Sequence, residues 1–306
     1  MYSIFFRIGV EKIFSLIFMK KTIGDYLVLM LSIIGSLASI WAFGEYFLPN
    51  LNCQGEIGVS FLGVLSLVFL GTNYYLVSHY RRNVRYIDVF DDINTGFAHI
   101  HRVERQENAQ VADIIQNLSD LCNYIHEAFT QVYGTKIGVC IKFISIENNR
   151  AKALTLVRDE YSKKNQRRTG TNDSTQHWID ANSDFEFIYT NIDNDNEDTS
   201  FYHEGHLPIC KDYKNTRLRP GWQSKNPIPF LENYMRRKNW PLKYRSTLVV
   251  PIVPLMADEQ SQDMLRGFLC IDSQKENIFN ETVDVSILKG ISDGLYSQID
   301  KLYNLM

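Results

Sequence analysis

Charge is absent from two long stretches of this chain, Tyr26 to Gly44 and Ile57 to Ser78, which contain no Asp, Glu, Lys, Arg or His. A helix on the surface of a soluble domain carries a charged face, so the ordinary amphipathic role is excluded for both. An excess of positive charge is missing too: 32 Lys and Arg stand against 35 Asp and Glu, a formal charge of −3, which removes the basic footprint of a nucleic-acid binder. Cysteine is sparse, with Cys53, Cys122, Cys140, Cys210 and Cys270 scattered along the chain, and so excludes a disulfide framework. The chain also lacks a Walker loop, a dinucleotide-binding glycine pattern and the kinase signature set, which leaves the common phosphate-transfer and hydride-transfer classes without their machinery.

The uncharged runs are 19 and 22 residues long, and a hydrocarbon core of ~30 Å needs about 20 apolar residues at 1.5 Å rise. They predict a two-helix transmembrane hairpin. The connector Glu45 to Glu56 has no Lys or Arg, whereas Arg7, Lys12, Lys20 and Lys21 precede the hairpin and Arg81, Arg82 and Arg85 follow it. This bias predicts an inner-membrane, multi-pass protein with both termini in the cytoplasm. Residues 1–22 alternate apolar and basic positions as a helix in the headgroup layer would, so the expected organisation is an amphipathic segment 1–22, a hairpin 23–80, a helical stalk 81–109 and a cytosolic domain 110–306.

His79 to Tyr133 holds no proline and only Gly96 as a helix weakener. Val84, Ile87, Phe90, Ile93, Phe97, Ile100 and Val103 recur every three or four residues, and a second series runs from Val111 to Phe129, predicting two helical pieces with a polar break at Glu104 to Asn108. The first stripe suits either a paired stalk in a homo-oligomer or packing on its own domain. From Lys136, apolar and polar residues alternate through Ile146, and Ala151 to Val157 follows the turn Glu147-Asn148-Asn149-Arg150, predicting a β-hairpin. Phe185 to Thr190 is read as a third strand, Phe230 to Lys238 as a short helix, and Thr247 to Val253 and Arg266 to Ile271 as two further strands. A last amphipathic helix carries Val285, Leu288, Ile291, Leu295, Ile299 and Leu302 on its inner stripe. The sum is an α+β layout with a central antiparallel sheet flanked by N- and C-terminal helices.

The run Ser246-Thr247-Leu248-Val249-Val250-Pro251-Ile252, then Arg266-Gly267-Phe268-Leu269-Cys270-Ile271-Asp272-Ser273, then Asn277-Ile278-Phe279 and a helix from near Asp284 resembles the C-terminal half of a GAF domain. GAF domains are regulatory ligand-binding modules, and the resemblance spans roughly Gln110 to Met306. It implies a sensor that binds a small molecule. The Asn-Lys-Phe-Asp-Glu motif of the cyclic-nucleotide branch is absent, and no cysteine is placed for a bilin.

His203, His206 and Cys210 put two imidazoles and a thiol close together but lack a fourth ligand at a recognised spacing, so a polar loop is expected rather than zinc. Asp193, Asp195, Glu197 and Glu204 fall at EF-hand positions, yet Asp198 replaces the turn glycine, and a solvated acidic turn is expected. Gly290 to Gly294 spells Gly-x-Ser-x-Gly inside the terminal helix, where Ser292 has no histidine after it to act as base. No catalytic or metal site is expected, no cofactor is identified, and an enzyme is the least expected class.

The aromatic and basic residues of the middle section form the candidate ligand site: Trp178, Tyr202, Trp222, Trp240, Tyr244 and Arg245, accompanied by Arg217, Arg219, Arg236, Arg237 and Lys243. Stacking and bidentate hydrogen bonds suit an anionic or nucleotide-like ligand; completion of the core by the tryptophans is the competing reading. The expected function is a membrane-anchored bacterial sensor signalling through the stalk. The alternatives are a ligand-triggered membrane-disrupting effector of a bacterial defence system and a non-binding dimerisation scaffold.

Overall fold

The computed structural model describes residues 89–102, 110–164, 177–193, 201–218, 228–254 and 262–305, together with Gly35, Tyr86, Trp222 and single positions within 63–74. The chain divides into two compact units, Met1–Arg81 and Arg82–Met306. Most of Tyr26 to Gly44 and Ile57 to Ser78, and the polar break at Glu104 to Asn108, lie outside the described residues. The expected membrane placement is corrected: among the described residues no helix is long and apolar enough to cross a bilayer. The two longest described helices are instead amphipathic, with charged outer positions and one stripe buried in a domain core.

In the second unit, residues 89–102 are helical and are followed by α1 (Val111–Tyr133), β1 (Ile137–Glu147), β2 (Arg150–Arg158), α2 (Glu160–Lys164), β3 (His177–Trp178), α3 (Ser183–Asn191), β4 (Tyr202–Glu204), α4 (Pro229–Lys238), β5 (Ser246–Ile252), β6 (Gly267–Ser273) and α5 (Glu281–Leu305). The strands form one antiparallel sheet in the order β3-β2-β1-β6-β5-β4. This is the expected α+β layout, an antiparallel sheet with α1 and α5 packed on one face, in which the β1–β6 pairing of distant segments forms the middle of the sheet.

Local chemistry explains the boundaries. Gln110 and Asp113 form a reciprocal capping box at the start of α1, and Gly134 ends it at φ 60° with its N–H on the Thr130 carbonyl, the left-handed stop that glycine adopts without penalty. The β1–β2 turn places Asn148 and Asn149 at φ 51° and 60°, the double positive-φ geometry whose twist matches a two-residue hairpin.

Strand alternation then assigns the two faces of the sheet. Ile137, Val139, Ile141 and Phe143 of β1, Leu248, Val250 and Ile252 of β5, and Leu269 and Ile271 of β6 share one core with Leu121, Ile125 and Phe129 of α1 and Leu288, Ile291 and Leu295 of α5. Val89, Ile93 and Ile100 of the 89–102 helix belong to the same core. Close approach explains Gly96 and Gly294: a Cβ at Gly96 would lie 2.5 Å from Leu121 Cδ1, and one at Gly294 would lie 2.6 Å from Phe97 Cε1. Inside α5, Ser292 is buried and donates its hydroxyl to the Pro251 carbonyl.

The opposite face carries Cys140, Ile144, Ala153, Val249, Phe268 and Cys270, packed against Ile179, Phe185 and Ile188. Here the expected strand Phe185 to Thr190 is corrected to helix α3. Phe185 and Ile188 are its buried apolar residues, followed by the buried Ile192 at its C-cap, spaced three and four apart; that is a helical period, and a strand would have buried every second residue.

Candidate functional site

The second sheet face is not fully covered by α3. Between β1, β6 and the loops after β4 and α4 lies a cavity of about 240 Å³, bordered by Cys140, Lys142, Arg158, Asp184, Asp272 and Tyr244, among others. Its rim residues Pro241 and Lys243 are exposed, so it opens to solvent.

The floor comes from strand positions two apart. Cys140 and Lys142 share the cavity face of β1, and Cys270 and Asp272 that of β6; the β1–β6 register sets Cys140 directly opposite Cys270. Lys142 is buried and donates from Nζ to Thr155 Oγ1 at 2.9 Å, while Arg158 Nη2 reaches the same hydroxyl at 3.3 Å. One threonine on β2 thus holds two buried cations at the cavity wall. The wall also contains Asp184 at the start of α3, whose carboxylate accepts from the Phe185 N–H at 3.1 Å.

A loop pins the upper edge. Ser183 N–H donates to the Lys214 carbonyl at 3.1 Å and Lys214 N–H to Ser183 Oγ at 2.8 Å, while Thr216 Oγ1 and His177 Nδ1 lie 3.1 Å apart. Asn215 Nδ2 donates to the Tyr244 hydroxyl at 3.2 Å. These bonds fix Asn215, Arg217 and Tyr244 at the mouth, where all three line the cavity.

The enclosure perturbs the charges inside it. Burial pushes the Asp184 carboxyl up to about 7 against the opposing pull of the Lys142 ammonium. Burial likewise holds the Lys142 ammonium below its ordinary range, with the Arg158 and Arg217 charges adding to the effect. A raised carboxyl and a depressed ammonium in one solvent-open cavity make it the candidate site of this domain.

Of the residues expected from the sequence, Tyr244, Arg217 and Lys243 border this cavity. Trp178 follows His177 on β3 and stacks beneath Arg150 and Lys152, with the Arg150 guanidinium 4.5 Å from the ring centre. Trp240 is buried in a separate cluster with Leu207 and Tyr213, against which Tyr202, Trp222 and Tyr244 pack. Trp222 meets Trp240 edge-on at 4.9 Å and lies under the buried Arg236 guanidinium at 5.5 Å. Arg245 reaches Glu276 at 3.4 Å and the Arg237 carbonyl at 3.2 Å. Glu276 also binds Arg237 at 2.9 Å and His206 at 3.1 Å. The structure therefore gathers Tyr202, Trp222, Trp240 and Tyr244 into one cluster, leaves Trp178 apart on β3, and places Arg245 in an ion-pair network. The sequence does not single out Lys142, Arg158, Asp184 or Asp272 as site residues; the signal available is a lysine inside an otherwise uncharged strand segment, Ile137 to Ile144.

His203, His206 and Cys210 diverge: His203 lies 4.0 Å from Glu281 and His206 lies 3.1 Å from Glu276. Asp193 accepts from the Gln262 N–H at 2.8 Å, and Asp195 and Glu197 fall outside the described residues.

No family model matches the chain, and no curated protein matches it. Several solved structures do resemble it. The GAF domain of an Acinetobacter phosphoenolpyruvate-protein phosphotransferase is 11% identical, with a TM-score of 0.41, over 71% of this chain and 95% of that one. A type II free methionine-R-sulfoxide reductase from Thermoplasma acidophilum is 13% identical, with a TM-score of 0.36, over 62% of this chain and 96% of that one. The chromophore-binding domain of a bacteriophytochrome from R. palustris is 10% identical, with a TM-score of 0.36, over 72% and 63% of the two chains. These neighbours include both sensor modules and an enzyme, so the expected absence of catalysis gains nothing from them.

Proposed function

We propose that the Arg82–Met306 unit is a small-molecule-binding sensory domain and that its ligand is a small metabolite bearing a carboxylate or phosphate, seated in the cavity on the second sheet face. The observation that carries this reading is the convergence of Lys142 and Arg158, both buried and both hydrogen-bonded to Thr155, on a cavity open to solvent. Lys142 and Arg158 both border this cavity, so an anion entering it meets two cationic donors, with Arg217 and Lys243 at its rim, and hydrogen bonds from cations to carboxylate or phosphate are the strong ones. Asp184 and Asp272 on the same lining would receive a donor group, so a zwitterion or a hydroxylated acid fits better than a plain anion. At about 240 Å³ the space lies below the ~300–1,000 Å³ of drug-sized pockets, which favours a compact metabolite over a dinucleotide.

Signalling would run through the sheet. Cys140 and Lys142 alternate along β1 with Val139, Ile141 and Phe143, which pack on α1 and α5. A ligand that shifts β1 or β6 therefore changes the packing of both helices and of the 89–102 helix beside them.

The test is a thermal-shift and calorimetric screen of the full chain against amino acids, hydroxy acids and phosphorylated metabolites. A ligand at 100 times its Kd adds ~2.7 kcal/mol, or roughly 5–10 °C for a unit of this size. Lys142→Met is expected to abolish the shift and Trp178→Ala to preserve it. A shift that survives Lys142→Met, or a panel with no hit at millimolar concentration, overturns the assignment.

A further inference from the structure

The two thiols on the cavity floor have no part in the ligand reading. Cys140 on β1 and Cys270 on β6 are partners in the antiparallel register. Both side chains line the cavity, and both are free thiols. Partner residues in antiparallel strands have Cα atoms ~4.5–5.5 Å apart, inside the ~4.4–6.8 Å window that a disulfide spans. Cys122 offers a contrast within the same domain: it is fully buried in the helix-side core, where burial pushes its thiol well up.

We propose that Cys140 and Cys270 form a peroxide-reactive dithiol site that closes to a cross-strand disulfide on the cavity floor. Cys140 is the attacking sulfur. The Cys270 thiol donates a hydrogen bond to it, and the Arg158 and Lys142 charges stand nearby; together they hold Cys140 below the ordinary thiol range against the burial that opposes them. Cys270 is pushed up by burial and by that same hydrogen bond, so it stays a thiol until the second step. The place of Cys140 on the cavity face of β1, two residues from Lys142, makes it the nucleophile and Cys270 the resolving partner.

The steps balance with hydrogen peroxide as the oxidant. The Cys140 thiolate attacks one peroxide oxygen; the S–O bond forms, the O–O bond breaks, and the departing hydroxide takes up the proton that Cys140 released, giving water and a sulfenic acid. The Cys270 sulfur then attacks the Cys140 sulfur. The S–S bond forms, the S–O bond breaks, and the Cys270 proton leaves with the hydroxyl as a second water. Two thiols are oxidised by two electrons and one peroxide is reduced to two waters; a dithiol reductant reverses the change.

A bond between β1 and β6 at this point ties the strand that carries Lys142 to the strand that carries Asp272. The dithiol needs no ligand to react, so failure of the disulfide and failure of the metabolite assignment are separately readable.

The experiment treats the full chain with hydrogen peroxide, blocks remaining thiols by alkylation and maps non-reduced peptides by mass spectrometry. The expected product is a Cys140–Cys270 linked pair lighter by two hydrogens, formed at least tenfold faster than any change at Cys122. Cys270→Ser is expected to leave a dimedone-reactive sulfenic acid at Cys140, and Lys142→Met to slow its formation several-fold. Absence of the linked pair in the wild-type chain, or loss of Cys122 thiol at an equal rate, overturns the proposal. The wild-type readout stands whether or not a variant folds.

Discussion

Asp184 makes the cavity's electrostatics measurable without any ligand. Its carboxyl is 5% exposed and burial raises it from 3.8 to about 7. The native state therefore keeps a proton that the unfolded chain has released between those values, and the sign of the linkage follows: stability is fullest below pH 4, falls as the pH climbs toward 7, and levels off above it. At 1.36 kcal/mol per unit, the displacement amounts to about 4 kcal/mol across that window. The groups facing Asp184 are the Lys142 ammonium, which draws it down, and Cys140, which raises it; His177, Arg158, Arg217 and Asp272 line the same cavity. Asp184→Asn reproduces the protonated side chain in shape and cannot ionise. It should match the wild type at pH 4 and exceed it at pH 8 by up to about 4 kcal/mol, or ~10 °C in Tm for a unit of this size. Thermal melts of both chains at half-unit pH steps, compared as differences, cancel the groups they share. Parallel curves, or an Asn variant less stable at pH 8, would refute the claim that this carboxyl is buried at a cost.

Glu276 should show the opposite sign: burial pushes it up, but hydrogen bonds and charges from His206 and Arg237 outweigh that and leave it lowered. Glu276→Gln should therefore cost stability at pH 7 and converge on the wild type as the pH falls below 4, seen in the same melts. Gly267→Ala would place a Cβ 2.0 Å from the Lys142 carbonyl oxygen, so a loss of at least ~1–3 kcal/mol is expected in the denaturation midpoint; no loss would mean that β6 does not approach β1 as described. Asn149→Gly should preserve or raise stability and Asn149→Ala should lower it by ~1 kcal/mol, because φ at 60° penalises a Cβ that lacks a polar partner. Equal midpoints for the two variants would count against the turn geometry.

The difference between what the residues announced and what they concealed has a physical pattern. Val285, Leu288, Ile291, Leu295, Ile299 and Leu302 repeat at helical spacing and all are buried, since one core face imposes one period over many turns. Asn148-Asn149 between two alternating runs was equally legible, because a positive-φ pair is a local requirement that few residues meet. Phe185 to Thr190 misled because a nine-residue helix, Ser183–Asn191, offers barely two turns of period, and its aromatic and β-branched residues favour a strand by propensity alone. Tertiary packing of Phe185 on Phe268, 4.8 Å between ring centres, decided the matter.

The site was harder to read for a different reason. Trp178, Trp222, Trp240 and Arg245 are conspicuous side chains, and conspicuous side chains find partners: Arg150, Arg236, Tyr244 and Glu276 satisfy them. The cavity is instead built from residues of ordinary type made unusual by position. Lys142 stands on the side of β1 that strand alternation would leave to solvent, yet it is buried, and Cys140 faces Cys270 only through a pairing of strands more than a hundred residues apart in sequence. Register creates that site, and a one-residue slip of β6 would send Cys270 and Asp272 to the helix side of the sheet. The cavity and the dithiol thus both depend on the β1–β6 ladder, where Gly267 leaves no room for a Cβ beside the Lys142 carbonyl.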